Sequence, residues 1–248
     1  VNRGWWLPLF FLALWSAAAG LYKGPRIGFL PSPWKVLRAT WERYTQGRLA
    51  LDVGVSLGQV LLGFFTGSAL GLAFGLVLGG TRLGERLFGG PFHALRQVPA
   101  VAWSPLLVLW FGIGETSRLV FLLIGVFFPV ALNTASGLFG VPRQYRELGL
   151  VLGLSPWEGL WRISLPSAVP ALKAAALQGL NMAWVGLLAM DLLAPTPNGL
   201  GTQLLQGCIA FRMDVVYSAI LLIAVLGASS QWALRAVWGL ALGRYEAR

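Results

Sequence analysis

Few side chains in this chain of 248 residues are suited to covalent chemistry, and their spacing argues against it. Gly54-Val55-Ser56-Leu57-Gly58 has the Gly-x-Ser-x-Gly spacing of a hydrolase nucleophile. That motif works on a strand–turn–helix with an acid and a histidine beside it. Here it opens a long apolar run, and His93 is the single histidine. One histidine is too few for a metal or haem site built within the chain. Cys208 is the lone cysteine; it forms no intrachain disulfide and reads as a small packing residue. The three lysines follow Tyr22, Trp34 and Leu172, so no Gly-Lys pair and no phosphate-cradling P-loop exists.

What remains is non-covalent polar chemistry inside apolar runs. Gln178 and Asn181 are three residues apart and share a helix face. Asn133 and Thr134 lie in an earlier apolar run and are candidate partners, and Asp191 closes the later one. Polar groups within a bilayer are costly toward lipid, so they face other helices or a cavity. Two readings stand for the four amide and hydroxyl residues: hydrogen-bonded glue between helices, or the lining of a path that holds a solute weakly enough to release it; Asp191 is a further candidate for the path.

The elements that must position them are membrane spans. Hydrophobic residues make up 56% of the chain and charged ones 11%, and the mean hydropathy is +0.70. Such a composition excludes an ordinary soluble domain and predicts one all-α, polytopic membrane domain over 1–248, with its core at about 56–240. The net charge of +10 comes from basic residues scattered between apolar runs. They serve as topology signals and lipid head-group partners and form no stripe suited to nucleic acid. Residues 5–21 resemble a signal peptide in their small-residue end, but a first membrane helix is the preferred reading. Segment 22–55 is polar and basic; within it Ser32-Pro33 predicts the start of an interfacial helix carrying Trp34, Leu37, Trp41 and Tyr44 on one face.

In 56–80, Gly63, Gly67, Gly71, Gly75 and Gly79 recur every fourth residue, which predicts close backbone contact with a neighbouring helix. A short loop is expected at 81–92, then a span kinked by Pro99 and Pro105 as far as Gly112. Further spans are expected at 118–139, 168–193 and about 213–241, with a turn-rich loop at 194–212. The total is about six transmembrane helices.

Between the fourth and fifth spans lies Tyr145–Pro166. One helix is expected to stop at Gly153, which accepts a left-handed conformation. Ser155, Pro156 and Glu158 form a capping box with a first-turn proline. The helix they start is predicted to last about two turns, gathering Trp157, Leu160, Trp161 and Ser164 on one side before Pro166 stops it. So short a helix is marginal alone, and its apolar face requires a receiving surface.

Glu147, Gly153 and Ile163-x-Leu165-Pro166 resemble the EAA loop of permease subunits in bacterial binding-protein-dependent ABC importers. Leu148 and Gly149 stand where that family usually has alanines. Gln97-Val98-Pro99, Trp103-Ser104-Pro105 through Glu115, Phe128-Pro129 with Asn133-Thr134, and Asp191 followed by Gly199-Leu200-Gly201 are similar to the same family. The nearest branch imports aliphatic sulfonates, taurine, nitrate or bicarbonate.

The resemblance implies a type I importer permease fold with a cytoplasmic coupling helix between helices 4 and 5. ATPase coupling would then fall to Arg146, Glu147, Gly153, Ser155, Trp157, Glu158, Leu160 and Trp161. The partners implied are a cytoplasmic ABC ATPase dimer that binds the ATP and Mg, a second permease copy, and an extracytoplasmic solute-binding protein. The chain itself would be non-catalytic and without a cofactor. It would sit in the bacterial inner membrane with both termini cytoplasmic, an orientation that loop arginines favour only slightly. A secondary transporter or channel would show inverted repeats or a mid-membrane ion site. A redox membrane anchor would show paired histidines. Neither signal is present in the sequence.

Overall fold

The computed structural model describes residues 6–21 and 29–242, except for the side chains of Pro8, Arg146 and Leu242. Arg3, Lys23, Arg26, Arg244 and Arg248, and with them both termini, lie outside the described residues. All regular structure among the described residues is helical: α1 (Trp6–Leu21), α2 (Pro33–Thr45), α3 (Arg48–Gly80), α4 (Arg82–Leu95), α5 (Ser104–Phe111), α6 (Glu115–Phe139), α7 (Arg143–Val151), α8 (Pro156–Gly159), α9 (Leu165–Leu193), α10 (Leu200–Ile209) and α11 (Met213–Leu242). A 3₁₀ turn, Ala100–Trp103, precedes α5, and a π turn, Leu160–Ser164, joins α8 to α9.

Four stretches among the described residues are long and apolar enough to cross a membrane: Arg48–Gly80, Glu115–Phe139, Pro156–Leu193 and Met213–Ala241. A fifth candidate is the broken pair Arg82–Leu95 and Ala100–Phe111, bent by 86°. The break falls at Pro99, as the prolines predict. The described residues thus hold four spans, or five with the broken pair, where about six were expected; α1 is apolar but shorter than a span.

Two compact units divide the chain. One comprises the residues up to Leu57 together with Pro195–Leu226. In it, Trp15 Nε1 donates to the Pro31 carbonyl at 3.0 Å, and its ring stacks on Tyr217 with centroids 5.9 Å apart. Thr40 and Ser218 share a hydroxyl hydrogen bond of 2.7 Å. On α2, Val36 and Ala39 are buried, while Trp34, Leu37, Trp41 and Tyr44 are exposed together, as the amphipathic pattern requires.

The second unit comprises Gly58–Ala194 and the residues from Gly227 on. Its organising element is α6. A Cβ placed on Gly63, Gly67, Gly71, Gly75 or Gly79 would lie 2.6–2.8 Å from an atom of α6, successively at Leu122, Val126, Phe127, Thr134 and Ala135. The glycine row therefore seats α3 directly on α6. On its other flank α6 meets α9, where Gly137 faces Ala171 and Gly179 faces Val130 at equally short range. Phe74, Phe92, Phe127 and Phe128 pack around Leu78, Ala131 and Ala135 beside this seam. Trp184 and Ser230 (3.0 Å) and Gln231 and the Leu177 carbonyl (2.8 Å) join α9 to α11.

Three expectations are corrected. Residues 81–92 form most of α4 and not a loop. Thr81 accepts from the Gly84 amide at 2.9 Å and starts the helix. Gly84 is the residue whose missing side chain lets the helix start lie against the Val77 carbonyl. The loop expected at 194–212 contains α10, whose first amides are held by side chains of α3. The Gly199 amide donates to Asp52 and the Leu200 amide to Ser56, both at 2.9 Å. Ser56, centre of the hydrolase-like spacing, is thus a buried helix cap.

The third correction concerns Pro166, which does not stop a helix. The π turn shifts the ladder, so that the Leu165 amide donates to the Leu160 carbonyl five residues back, and α8, the turn and α9 continue as one stretch. A π bulge accommodates the proline, which has no amide hydrogen to give.

Gly71→Leu would drive a side chain into the Phe127 carbonyl and Val130. Overpacking costs about 1–3 kcal/mol, so the variant should melt lower and purify in reduced yield. Gly58→Leu, on the same helix with open space at its Cβ position, should leave melting unchanged. Equal melting temperatures for the two variants would contradict the seam.

Candidate functional site

The segment between the second and third long spans is built by two caps. Helix α7 ends in a Schellman motif: the Leu154 amide donates to the Gly149 carbonyl and the Gly153 amide to the Leu150 carbonyl, each at 3.0 Å. Gly153 has φ +69°, the left-handed value the sequence predicts there. Helix α8 opens with the expected capping box. Ser155 Oγ accepts from the Glu158 amide at 3.3 Å, and the Ser155 amide donates to Glu158 Oε2 at 3.0 Å. Between them the caps turn the chain tightly and fix the direction in which α8 leaves.

The apolar side chains then divide, which differs from the single face expected. Leu160 and Ser164 turn inward and line a groove of about 230 Å³ with Gly79, Gly80, Gly149 and Ile163. Gly149 has a packing reason, because a Cβ there would lie 2.9 Å from Ile163 Cδ1. Trp157 and Trp161 turn outward, edge to face with centroids 5.5 Å apart, and are 66% and 50% exposed. Leu148, Leu150, Val151 and Leu152 are exposed beside them in sequence. Arg143 and Glu147 pair at 2.6 Å and Arg162 and Glu158 at 3.7 Å, all on the surface. The result is a compact knob with two indoles uncovered beside two surface ion pairs.

The polar residues of the spans separate into two environments. Asn133 donates from Nδ2 to Gln178 Oε1 at 2.8 Å and to the Pro129 carbonyl at 2.8 Å. This amide pair joins α6 to α9, with Gln178 and the neighbouring Asn181 exposed. Thr134 is not their partner; it is buried against the glycine row, at Gly75. Asp191 is fully buried and paired with Arg118, equally buried. Arg118 also donates from Nη1 to Gln59 Oε1 at 2.6 Å. One guanidinium therefore ties α3, α6 and α9 together.

Asp191 stands out in the sequence as a carboxylate in an apolar run; Arg118 and Gln59 join it only in the fold. The available signal was an arginine inside an apolar helix, which demands a partner.

The family described as binding-protein-dependent transport system inner membrane component matches residues 67–237, a stretch that contains the knob, the amide pair and the buried ion pair. The chain belongs to that family. It is 34% identical over 224 residues to the aliphatic sulfonates transport permease protein SsuC of Escherichia coli (strain K12), covering 90% of this chain and 84% of that one. To SsuC of Bacillus subtilis (strain 168) it is 30% identical over 225 residues, covering 91% and 81%. The taurine transport system permease protein TauC of Escherichia coli (strain K12) is 30% identical over 214 residues, with 84% and 78% covered. Among solved structures, an inward-facing MetNI methionine ABC transporter chain superposes with a TM-score of 0.63 and 25% identity, over 84% of this chain and 96% of that one.

The protein is thus a multi-pass inner membrane permease component of a binding-protein-dependent transporter. Permease subunits of this kind generally move solute and perform no catalysis. In this permease the fully buried Arg118–Asp191 pair is an assembly element. Removing one partner of such a pair costs about 3–5 kcal/mol, because a charge is left buried and alone. Asp191→Leu and Arg118→Met should each lower the melting temperature sharply, and the double variant should recover much of the loss. A double variant worse than both singles would argue against simple charge pairing.

Proposed function

We propose that this permease couples a cytoplasmic ABC ATPase to the import of a small oxyanion, with an aliphatic sulfonate the first choice and taurine or nitrate next. The uncovered tryptophan knob carries the reading. Two large aromatic rings held half-exposed or more on a doubly capped turn, flanked by the Arg143–Glu147 and Arg162–Glu158 pairs, form an anchor for a protein groove. The groove belongs to an ATPase that binds the ATP and Mg, and the knob lies on the cytoplasmic side, with both termini there too. A second permease copy completes the path, and an extracytoplasmic solute-binding protein delivers the cargo. Support for the cargo class comes from the relatives, whose names specify aliphatic sulfonates, taurine and nitrate.

Within this reading the exposed amide face of Asn133, Gln178 and Asn181 lines the path. Neutral amides suit an anion that must be bound weakly enough to leave. Asp191 and Thr134 support the path from behind, since both are buried.

Trp161→Ala should weaken co-purification of the ATPase, by about tenfold or more if the indole is a buried interface anchor worth 2 kcal/mol. The melting temperature of the permease alone should stay unchanged. Undiminished co-purification with normal uptake would refute the anchor.

Asn181 is exposed, so Asn181→Leu should assemble normally. ATP hydrolysis should continue while uptake of radiolabelled taurine or an alkanesulfonate falls or changes selectivity. Unaltered uptake and selectivity would remove Asn181 from the path.

A further inference from the structure

The unit formed by the residues up to Leu57 and Pro195–Leu226 contains a polar cavity of about 280 Å³. This is just below the roughly 300–1,000 Å³ typical of drug-sized ligand sites, enough for a small ion. Arg43, Arg48, Asp52, Asn198, Thr202 and Gln203 contribute to its lining. None of them belongs to the amide face, the knob or the buried ion pair.

Gln203 is 1% exposed, yet neither its amide nitrogen nor its oxygen has a hydrogen-bond partner. Thr202 Oγ1, on a residue 4% exposed, and the buried Nε of Arg43 are likewise unpartnered. Burying polar groups without partners carries an uncompensated desolvation cost, so several on one cavity mark a place built for something else.

The charge balance identifies the class of ligand. Asp52 is already committed on both oxygens. Oδ2 accepts from Arg43 Nη2 at 2.7 Å, and Oδ1 accepts from the Gly199 amide at 2.9 Å. Its single negative charge is matched by Arg43, and Arg48 adds a second guanidinium to the lining. Arg48 is also the first residue of α3, where the helix dipole is positive and a cation is disfavoured unless an anion sits nearby. The unspent donors are therefore a guanidinium, a second guanidinium's Nε, a hydroxyl and an amide NH₂. That set suits oxygens bearing negative charge.

We infer that this cavity is a binding site for a small oxyanion of the sulfate or sulfonate type, held by Arg48, Arg43, Thr202 and Gln203. The site stands independently of the cargo reading, because it is assayed by binding to the permease and not by uptake.

The test uses the full-length permease in nanodiscs. Its thermal unfolding is titrated with sodium sulfate and with sodium methanesulfonate, against sodium chloride at matched ionic strength. A saturable rise in melting temperature beyond the chloride control is expected. Response to methanesulfonate assigns the site to sulfonate head groups, and response to sulfate alone assigns it to an inorganic ion; either supports the oxyanion site.

Arg48→Gln, a change at an exposed side chain, should weaken the apparent affinity by about tenfold or more, the usual worth of a charged hydrogen bond. Gln203→Leu should abolish the response without requiring an anion for stability. If that buried variant fails to fold, Arg48→Gln decides the matter. No saturable response to either oxyanion, or identical titrations for the unmodified protein and Arg48→Gln, would overturn the site and leave a cavity that holds water alone.

Discussion

Lipid tails are as apolar as leucine, so the hydrophobic effect does not press one span of this protein against another. Cohesion has to come from contact at short range, and the fold depends on one place where that contact is unusually close. Five glycines at four-residue intervals bring α3 against α6, with backbone carbonyls of α6 where side chains would otherwise stand. Gly137 and Gly179 extend the arrangement to α9. Three helices are thus close-packed through missing atoms. The Arg118–Asp191–Gln59 network then links the same three helices through charge. Dispersion at the glycine seam holds the distance, and the ion pair penalises any partner that leaves, because a lone charge would remain in a low-dielectric interior.

The seam also explains which polar residues remain available. Side chains facing it, such as Thr134, are consumed by packing, and Asp191 is consumed by Arg118. Asn133, Gln178 and Asn181 lie on the exposed side of α6 and α9. The polar side chains left accessible on α6 and α9 are therefore amides, while the fully buried Arg118–Asp191 pair is enclosed by packing.

Features set by a short run of residues were legible before any coordinates. The glycine spacing announced its helix contact, Gly153 its left-handed cap, and Ser155 with Glu158 their capping box. Each depends on neighbours within a turn or two, which is the range over which a sequence pattern speaks directly. The failures share the opposite property. The start of α10 is capped by Asp52 and Ser56, more than a hundred residues earlier in the chain, so Pro195 to Gly201 looked like loop throughout. Pro166 was read as a stop because an α ladder cannot absorb it, whereas a π turn can. Gly149, which departs from the family's alanine, leaves out a side chain that would meet Ile163, and Gly84 leaves out one that would meet the Val77 carbonyl. In the candidate site, Asp191 was visible as a charge, while Arg118 and Gln59 became meaningful only once three separate helices met.

Continuity between the knob and the span behind it has a mechanical consequence. From Trp157 to Asn181 the chain is helical without a loop, a distance of about 36 Å at 1.5 Å per residue. Such a rod behaves as a lever. A displacement of the tryptophans would reach the amide face along the helix, with no loop between them to absorb it. The rod bears on α6 where Ala168 and Ala171 meet Gly137. The wide π turn at Leu160–Ser164, next to the tryptophans, is where this rod departs from α geometry, so its stiffness would govern how much of such a displacement the rod passes on.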